Sequence, residues 1–353
     1  MSSIVKIGII GAGAIGNAHM GAFQKIEGAQ VAAITDTFLP HAEQRAQEHN
    51  IPLVHQSPQA LLEDPDIDAV VVAVPNKFHA PLAIEALRQG KHVLLEKPMS
   101  IDAETARQIV EAKEKSGKIL MMAHQMRWEG LSRALKSQIE EGKLGRIYNA
   151  KAGWFRKKGI PGWGSWFTRM DESGGGPLID IGVHMLDLTL YMMGNPKPVS
   201  VFGTTYAEFG PKKAGIGNWG TPNWDGYYDV EDLATALIRF DNGATLSLEV
   251  SWAAHAAGLS EDPFIYLMGT EAGASIVGST GKTVTHENNI IIESSLSPIE
   301  GDARQLMSEH FVACVQEGKE PITTALSGYT NNRILDAIYE SSRTGDVVKL
   351  NWD

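Results

Sequence analysis

The stretch IGIIGAGAIGNAHMGAFQKI, residues 7–26, decides the fold. Its apolar opening reads as a buried strand, its glycines at 11, 13 and 16 fall in the G-x-G-x-x-G spacing, and its second half has a helical pattern. The spacing alone is a weak signal. The strand before it, the helix after it, and Asp36 closing the next apolar run about 20 residues beyond Gly16 make it a strong one. In that context Gly11 permits the tight turn, Gly13 lets backbone N–H groups approach a pyrophosphate at the helix N-terminus, and Gly16 allows helix and sheet to pack closely. Ala14 and Ile15 lie in the same turn and count with the glycines as cofactor-binding residues. Asp36 is placed to hydrogen-bond ribose hydroxyls and to repel a 2′-phosphate, and no Arg or Lys follows it in DTFLP, so NAD is expected in preference to NADP. The plainer alternative is an ordinary βα turn beside a solvated aspartate.

Outward from this stretch, strand-like and helix-like patterns take turns over the first 125 residues. Short apolar runs at 7–10, 31–35, 69–74, 93–95 and 119–122 alternate with helical segments such as FHAPLAIEALRQG and DAETARQIVEAKEKSG. Gly90 and Gly117 fall where C-terminal caps belong, and Asp102 or Ser100 suits an N-cap. Such alternation implies a parallel sheet with helices on both faces and ligands beyond the carboxyl ends of its strands. HVLLEKPMS, residues 92–100, is such an end: an apolar strand breaks off at the charged pair Glu96 and Lys97, followed by Pro98. Loop solubility is the bland reading of that pair.

After about residue 125 the pattern shifts to alternating strands, including IYNAKAGWF, PVSVFGTTYAEF, LATALIRFDNGATLSLEVSW and FIYLMG, with an Asn242-Gly243 pair suited to a two-residue hairpin turn. This is an antiparallel sheet. One long helical pattern interrupts it, GGGPLIDIGVHMLDLTLYMMG, with Pro177 in its first turn and Gly194 at its cap. Asp180 and His184 are four apart and share a helix face, and Asp187 follows at the next i+3. A histidine in an apolar helix is most often a hydrogen-bonded core residue, and an aspartate in a first turn has a plain dipole role. A metal site on these three lacks a ligand spacing elsewhere, so no metal is expected.

Composition narrows the partners. With 353 residues, 43% hydrophobic and 21% charged, the chain can form two domains with sizeable cores. Its 42 acidic and 31 basic side chains leave a net charge of −11, which repels a polyanion, and no nucleic-acid partner is expected. A single cysteine, Cys314, excludes an internal disulfide. The opening residues lack a basic n-region, and their apolar run is far shorter than the roughly 18 residues of a membrane span. A cytoplasmic protein without membrane partners is the expectation.

The dinucleotide fingerprint, VAVPNKFH and LLEKP at strand ends, and the later D-x-x-x-H helix together resemble the glucose–fructose oxidoreductase, inositol dehydrogenase and rhizopine catabolism family, Gfo/Idh/MocA. The resemblance covers the whole chain. It implies an α/β fold: an N-terminal Rossmann dinucleotide-binding domain over 1–124, and a C-terminal α+β domain with an open, mostly antiparallel sheet over 125–324. A helix at about 325–345 would pack back on the first domain, and the open sheet would make homodimers or homotetramers. By the same resemblance Lys97, Asp180 and His184 match the family's catalytic lysine, aspartate and histidine. Pro75, Asn76, His79, Glu96 and Lys97 would line the cofactor, and the 97–98 peptide would be cis.

The chemistry this implies is oxidation of a secondary hydroxyl by hydride transfer. A neutral imidazole, with an unperturbed pKa of about 6.5, suits His184 to take the hydroxyl proton. The Lys97 ammonium would stabilise the growing charge on that oxygen, and Asp180 would orient the substrate or the lysine. For the substrate, Trp154, Arg156, Trp163 and Trp166, in a glycine-rich aromatic loop, join Lys97, Asp180 and His184 as expected contacts. Aromatic faces suit sugar C–H surfaces, whereas oligomer contacts are the alternative use of such a loop. The expected function is therefore NAD-dependent oxidation of a sugar, glycoside (at C3 in some relatives) or cyclic polyol. Inositol dehydrogenase, a glycoside-cleaving enzyme with retained NAD, and a non-catalytic sugar and NAD sensor are the alternatives.

Overall fold

The computed structural model describes residues 4–352. The chain opens with β1 (Val5–Ile10), α1 (Ala14–Phe23), β2 (Ala29–Thr35), α2 (Leu39–His49), β3 (Leu53–Val54), α3 (Pro58–Glu63), β4 (Ala69–Val72), α4 (His79–Arg88), β5 (His92–Leu95), α5 (Ala103–Ser116) and β6 (Leu120–Met122). There follow α6 (Gly130–Glu140), β7 (Ile147–Phe155), the one-turn α7 (Met170–Ser173), α8 (Val183–Met192), β8 (Pro198–Tyr206), β9 (Leu233–Phe240), β10 (Thr245–Ser251) and β11 (Phe264–Gly269). The last elements are β12 (Gly273–Val277), β13 (Thr280–Glu287), β14 (Ile290–Leu296), α9 (Ala303–Glu317), α10 (Ala325–Thr344) and β15 (Val348–Lys349). The residues form two compact units. One runs to Trp128 and resumes over Gly301–Thr330; the other takes Glu129–Glu300 and continues from Asn331.

The first unit is a six-stranded parallel sheet in the order β3-β2-β1-β4-β5-β6. Its strands are apolar throughout because both faces are covered. Ile7, Ile9, Val71, Leu94 and Met121 point to one face, where α1 and α9 bring Met20, Phe23, Met307 and Phe311. Ile10, Val70, Val72, Leu95 and Met122 point to the other, against Leu61, Ala83, Leu87 and Ile109 of α3, α4 and α5. Phe23 and Phe311 meet edge to face at 6.4 Å, which ties α9 to this unit although Glu129–Glu300 of the other unit precede it in the chain. Asp102 is the N-cap of α5, accepting the Thr105 N–H at 2.7 Å, and Gly117 closes the helix at φ +64°. Strand order reverses between β1 and β4, and an α/β sheet binds its ligands at such a crossover.

The second unit is built on a nine-stranded sheet, β14-β13-β12-β11-β7-β10-β9-β8-β15, antiparallel except where β7 and β10 run parallel. Alternate rows across it have opposite fates. Val201, Ile238, Leu246, Ala150 and Leu267 form one buried row, covered in part by α8, whose side chains are apolar almost all round. In the neighbouring row Phe202 pairs with Leu237, and Tyr266 lies three strands beyond, past Ser247 and Lys151; Phe202, Leu237 and Tyr266 are exposed. Among the described residues no helix is long and apolar enough to cross a membrane.

Two local details differ from the sequence reading. Only Gly243 of the Asn242-Gly243 pair has positive φ (+81°), whereas a two-residue hairpin turn of this type needs it at both; the loop spans Asp241–Ala244, closed by Phe240 N–H on Ala244 O. The helix after Pro177 begins as a π turn over Leu178–Gly182 before becoming α8, and Asp180 stands in that wider turn.

The glycine loop makes a separable prediction. A Cβ at Gly16 would lie 1.9 Å from the backbone oxygen of Gly11, whereas one at Gly13, whose backbone is extended, meets nothing within 4 Å. Gly16→Ala should lower the melting temperature by several degrees, and Gly13→Ala should leave it nearly unchanged while weakening dinucleotide affinity about tenfold or more. Equal melting losses in the two variants, by differential scanning calorimetry, would contradict the assignment.

Candidate active site

The dinucleotide cradle is formed by the turn between β1 and α1. Gly11 sits at φ +107°, its N–H bonded to Thr35 O at 2.9 Å, with no space for a side chain beside Ala73 O. Gly13 is the N-cap of α1 and supplies no side-chain cap; the space a Cβ would take is open, as a phosphate approaching the first N–H groups of the helix requires. Ala14 and Ile15 are the first residues of that helix. Asp36, at the end of β2, accepts Ala12 N–H at 2.7 Å on one carboxylate oxygen and Phe38 N–H at 2.8 Å on the other, which fixes it beside the glycine turn. These residues fit NAD: helix N–H groups for the pyrophosphate and a carboxylate for the ribose diol.

Beyond β4, Pro75 and a short turn at Asn76–Phe78 lead into α4, of which His79 is the first residue. The His79 ring is buried, with Nδ1 2.7 Å from Pro98 O and Nε2 2.9 Å from Val74 O. A neutral ring donates to one of these at a time, and burial pulls its pKa below the ordinary imidazole value although both carbonyls oppose the change. His79 therefore ties the loop after β4 to the loop after β5. The Lys97–Pro98 bond in that second loop is cis.

Glu96 explains the charged pair at the end of β5. The carboxylate is 6% exposed. One oxygen lies 2.8 Å from His19 Nε2 of α1 and 3.5 Å from Arg304 of α9; the other accepts Lys97 N–H at 3.1 Å. Nδ1 of His19 meets no hydrogen-bond partner among the described residues, so its proton belongs on Nε2, donated to Glu96. Burial alone would raise the Glu96 pKa, but the bond from His19 and the nearby cations Arg304 and Lys97 outweigh it and hold the group down at about 2. The peptide that carries Lys97 is thus anchored to a fixed negative charge.

In the second unit, Asp180 Oδ2 accepts the indole N–H of Trp252 at 3.0 Å, and His184, 8% exposed, follows on α8. The turn that carries Asp180 is anchored by the buried Glu231, whose two oxygens take the N–H groups of Gly176 and Leu178 at 2.9 Å each and the Tyr339 hydroxyl at 3.1 Å. Burial raises the Glu231 pKa against these bonds. Asp187 is buried and accepts from Asn331 at 3.2 Å.

The aromatic loop divides. Trp163 is buried, donates its indole N–H to Gly210 O at 2.7 Å and stacks on Trp224 at 5.8 Å, with Lys213 over its ring at 4.5 Å. It holds two loops together. Trp166 is half-buried and stacks on Phe167 at 3.7 Å, and the guanidinium of Arg156 lies over half-buried Trp154 at 4.6 Å. Sequence alone does not single out His19, Arg304, Glu231, Tyr339 or Trp252, because their partners lie far off in the chain, Tyr339 being 108 positions from Glu231.

A doubly covered parallel sheet with a glycine-rich phosphate turn and an acidic ribose partner defines a nucleotide-dependent oxidoreductase fold with a second, sheet-based domain. Residues 5–124 match the family described as "Oxidoreductase family, NAD-binding Rossmann fold", and residues 132–282 match the "GFO/IDH/MocA C-terminal domain". The chain is 34% identical over 354 residues to D-glucoside 3-dehydrogenase of Escherichia coli (strain K12), covering 99% of this chain and 98% of that protein. It is 28% identical over 360 residues to scyllo-inositol 2-dehydrogenase (NAD(+)) of Bacillus subtilis (strain 168), covering 99% and 97%. The structure of levoglucosan dehydrogenase in complex with NADH and levoglucosan aligns with a TM-score of 0.87 at 24% identity, over 98% of this chain and 99% of that one, and shows the same fold. The protein belongs to the Gfo/Idh/MocA family of NAD-binding oxidoreductases.

The Glu96 network predicts an acid limit. Because its folded-state pKa of about 2 lies below the ordinary 4.5, its stabilisation is complete above about pH 4.5 and is lost as pH falls toward about 2. Glu96→Gln lacks this contribution, so its melting temperature should fall less steeply than that of the wild type between about pH 5 and pH 3. Parallel slopes would show that Glu96 is not held ionised by its neighbours.

Proposed function

We propose that the protein is an NAD-dependent dehydrogenase that oxidises a secondary hydroxyl of a glycoside or related sugar, with C3 the favoured position. The end-to-end similarity to D-glucoside 3-dehydrogenase carries this reading. Bound NAD supplies the two-electron acceptor for the hydride that leaves the carbon. The hydroxyl proton passes to His184, acting as a neutral base. The Lys97 ammonium donates to the same oxygen and stabilises its charge as the carbonyl forms, an effect that is largest where water is excluded. Asp180 orients the hydroxyl for transfer to His184. Pro75, Asn76 and Glu96 shape the cofactor side, and His79 and Glu96 act by fixing the loops around Lys97. Trp154, Arg156 and Trp166 offer stacking faces and donors to the sugar, and Trp163 contributes by packing the loop.

The similarity to scyllo-inositol 2-dehydrogenase supports a second reading, a cyclic polyol as substrate. Both readings include a homodimer or homotetramer formed through the exposed sheet row that holds Phe202, Leu237 and Tyr266, large apolar groups that association would cover. A cytoplasmic location is part of the reading, supported by the lone Cys314, which is free and buried.

The decisive experiment follows absorbance at the NADH band with NAD and a panel of glucosides, free hexoses, inositols and sugar acids. Stoichiometric NADH with a glucoside is expected; release of aglycone without net NADH, or binding without turnover, would overturn the dehydrogenase assignment. On the substrate so found, Lys97→Ala should lower kcat by about two to four orders of magnitude while NAD affinity stays within a few-fold. Turnover surviving within a few-fold would remove Lys97 from its role. A monomeric mass in sedimentation analysis would contradict association through the sheet.

A further inference from the structure

We infer that Trp252 is a positioning residue for the reaction, holding the Asp180 carboxylate in one orientation through its indole N–H. The inference rests on the role given to Asp180 above. Trp252 follows directly on the last residue of β10 and is fully buried. A buried indole needs an acceptor for its one polar atom, and here the acceptor is a carboxylate oxygen at 3.0 Å, which makes the bond a charge-assisted one.

Donor and acceptor are both referred to the same dipeptide. The Trp252 N–H donates to Asp232 O at 2.9 Å, so the base of the tryptophan is pinned to residue 232. The carboxylate of Glu231, one residue earlier, takes the N–H groups of Gly176 and Leu178 and so pins the start of the turn that carries Asp180. Gly176 leaves no slack there: a Cβ on it would lie 2.0 Å from Glu231 O. Asp232 is itself fixed by the N–H groups of Phe209 and Gly210, at 2.6 and 3.0 Å. The distance from indole to carboxylate is therefore set by backbone anchors of the fold.

The indole bond to Oδ2 opposes rotation of the Asp180 carboxylate about its Cβ–Cγ bond, which favours one direction for Oδ1. A fixed direction matters for a group that orients a hydroxyl, since small misplacements of a positioned group cost large factors in rate. A side chain filling volume alone would need no nitrogen at this place; Phe would serve.

Trp252→Phe keeps most of the volume and removes the donor. Measured on the substrate that the wild type oxidises, it should lower kcat about 10- to 100-fold with KM changed less than about threefold and NAD affinity retained. Combined with Asp180→Asn, it should cause no further loss beyond that of Asp180→Asn alone. Retention of kcat within twofold by Trp252→Phe, or additive losses in the double variant, would overturn the inference while leaving the role of Asp180 intact. An active Asp180→Asn enzyme would overturn that role, and the inference with it. Should Trp252→Phe not fold, the indole N–H signals of the eight tryptophans, in ¹⁵N-labelled wild type and Asp180→Asn, give the answer. One exchange-protected indole resonance should move with the substitution, and a spectrum in which none moves would overturn the inference.

Discussion

A carboxylate buried at the mouth of an apolar strand is the interaction on which the first half of this enzyme depends. An ionised group in that position is costly unless it is paired and hydrogen-bonded, and Glu96 has three partners drawn from the glycine-loop helix, the returning α9 and its own next residue. Removing any one of them would leave a desolvated charge short of compensation. The same bonds bring the helix that faces the pyrophosphate, the peptide of Lys97 and a helix from the far end of the chain into one rigid group. The lysine can stand at a strand end because a fixed negative charge stands beside it.

The second unit repeats the device with a different balance. Glu231 is buried as deeply, but its hydrogen-bond donors are two backbone N–H groups and a tyrosine hydroxyl. Burial then prevails and the pKa rises, whereas at Glu96 the bond from His19 and the nearby cations prevail and it falls. Each carboxylate supports a segment that carries proposed catalytic groups. Glu96 holds the backbone of Lys97, and Glu231 holds the π turn of Asp180.

Much of this was legible in the sequence, for physical reasons. Gly11, Gly13, Gly16 and Asp36 could be read because a phosphate-binding turn constrains neighbours in the chain, and the apolar strands because a doubly buried parallel sheet permits little else. The alternation of β9 and β10 was equally plain, since one face is covered and the other is not. What escaped was set by tertiary partners. His19 sits in an ordinary helix until Glu96, 77 positions later, meets it. Trp163 belongs to a loop with the composition of a sugar platform, and only the position of Gly210 O makes it a structural tie. The π turn is invisible because GGGPLID has the punctuation of a plain helix start, and the carboxylate that holds its first residues comes from Glu231, 53 positions after Leu178.

Bound NAD would accept the hydride that leaves a sugar carbon, and Lys97, Asp180 and His184 are proposed to manage the oxygen and its proton. A substrate carrying deuterium at the carbon undergoing oxidation tests this transfer most directly. One deuterium on the nicotinamide ring of the product per ketone formed is expected, with a primary isotope effect on single-turnover NADH formation. Ketone formation with the label lost to water and none on the cofactor would contradict it.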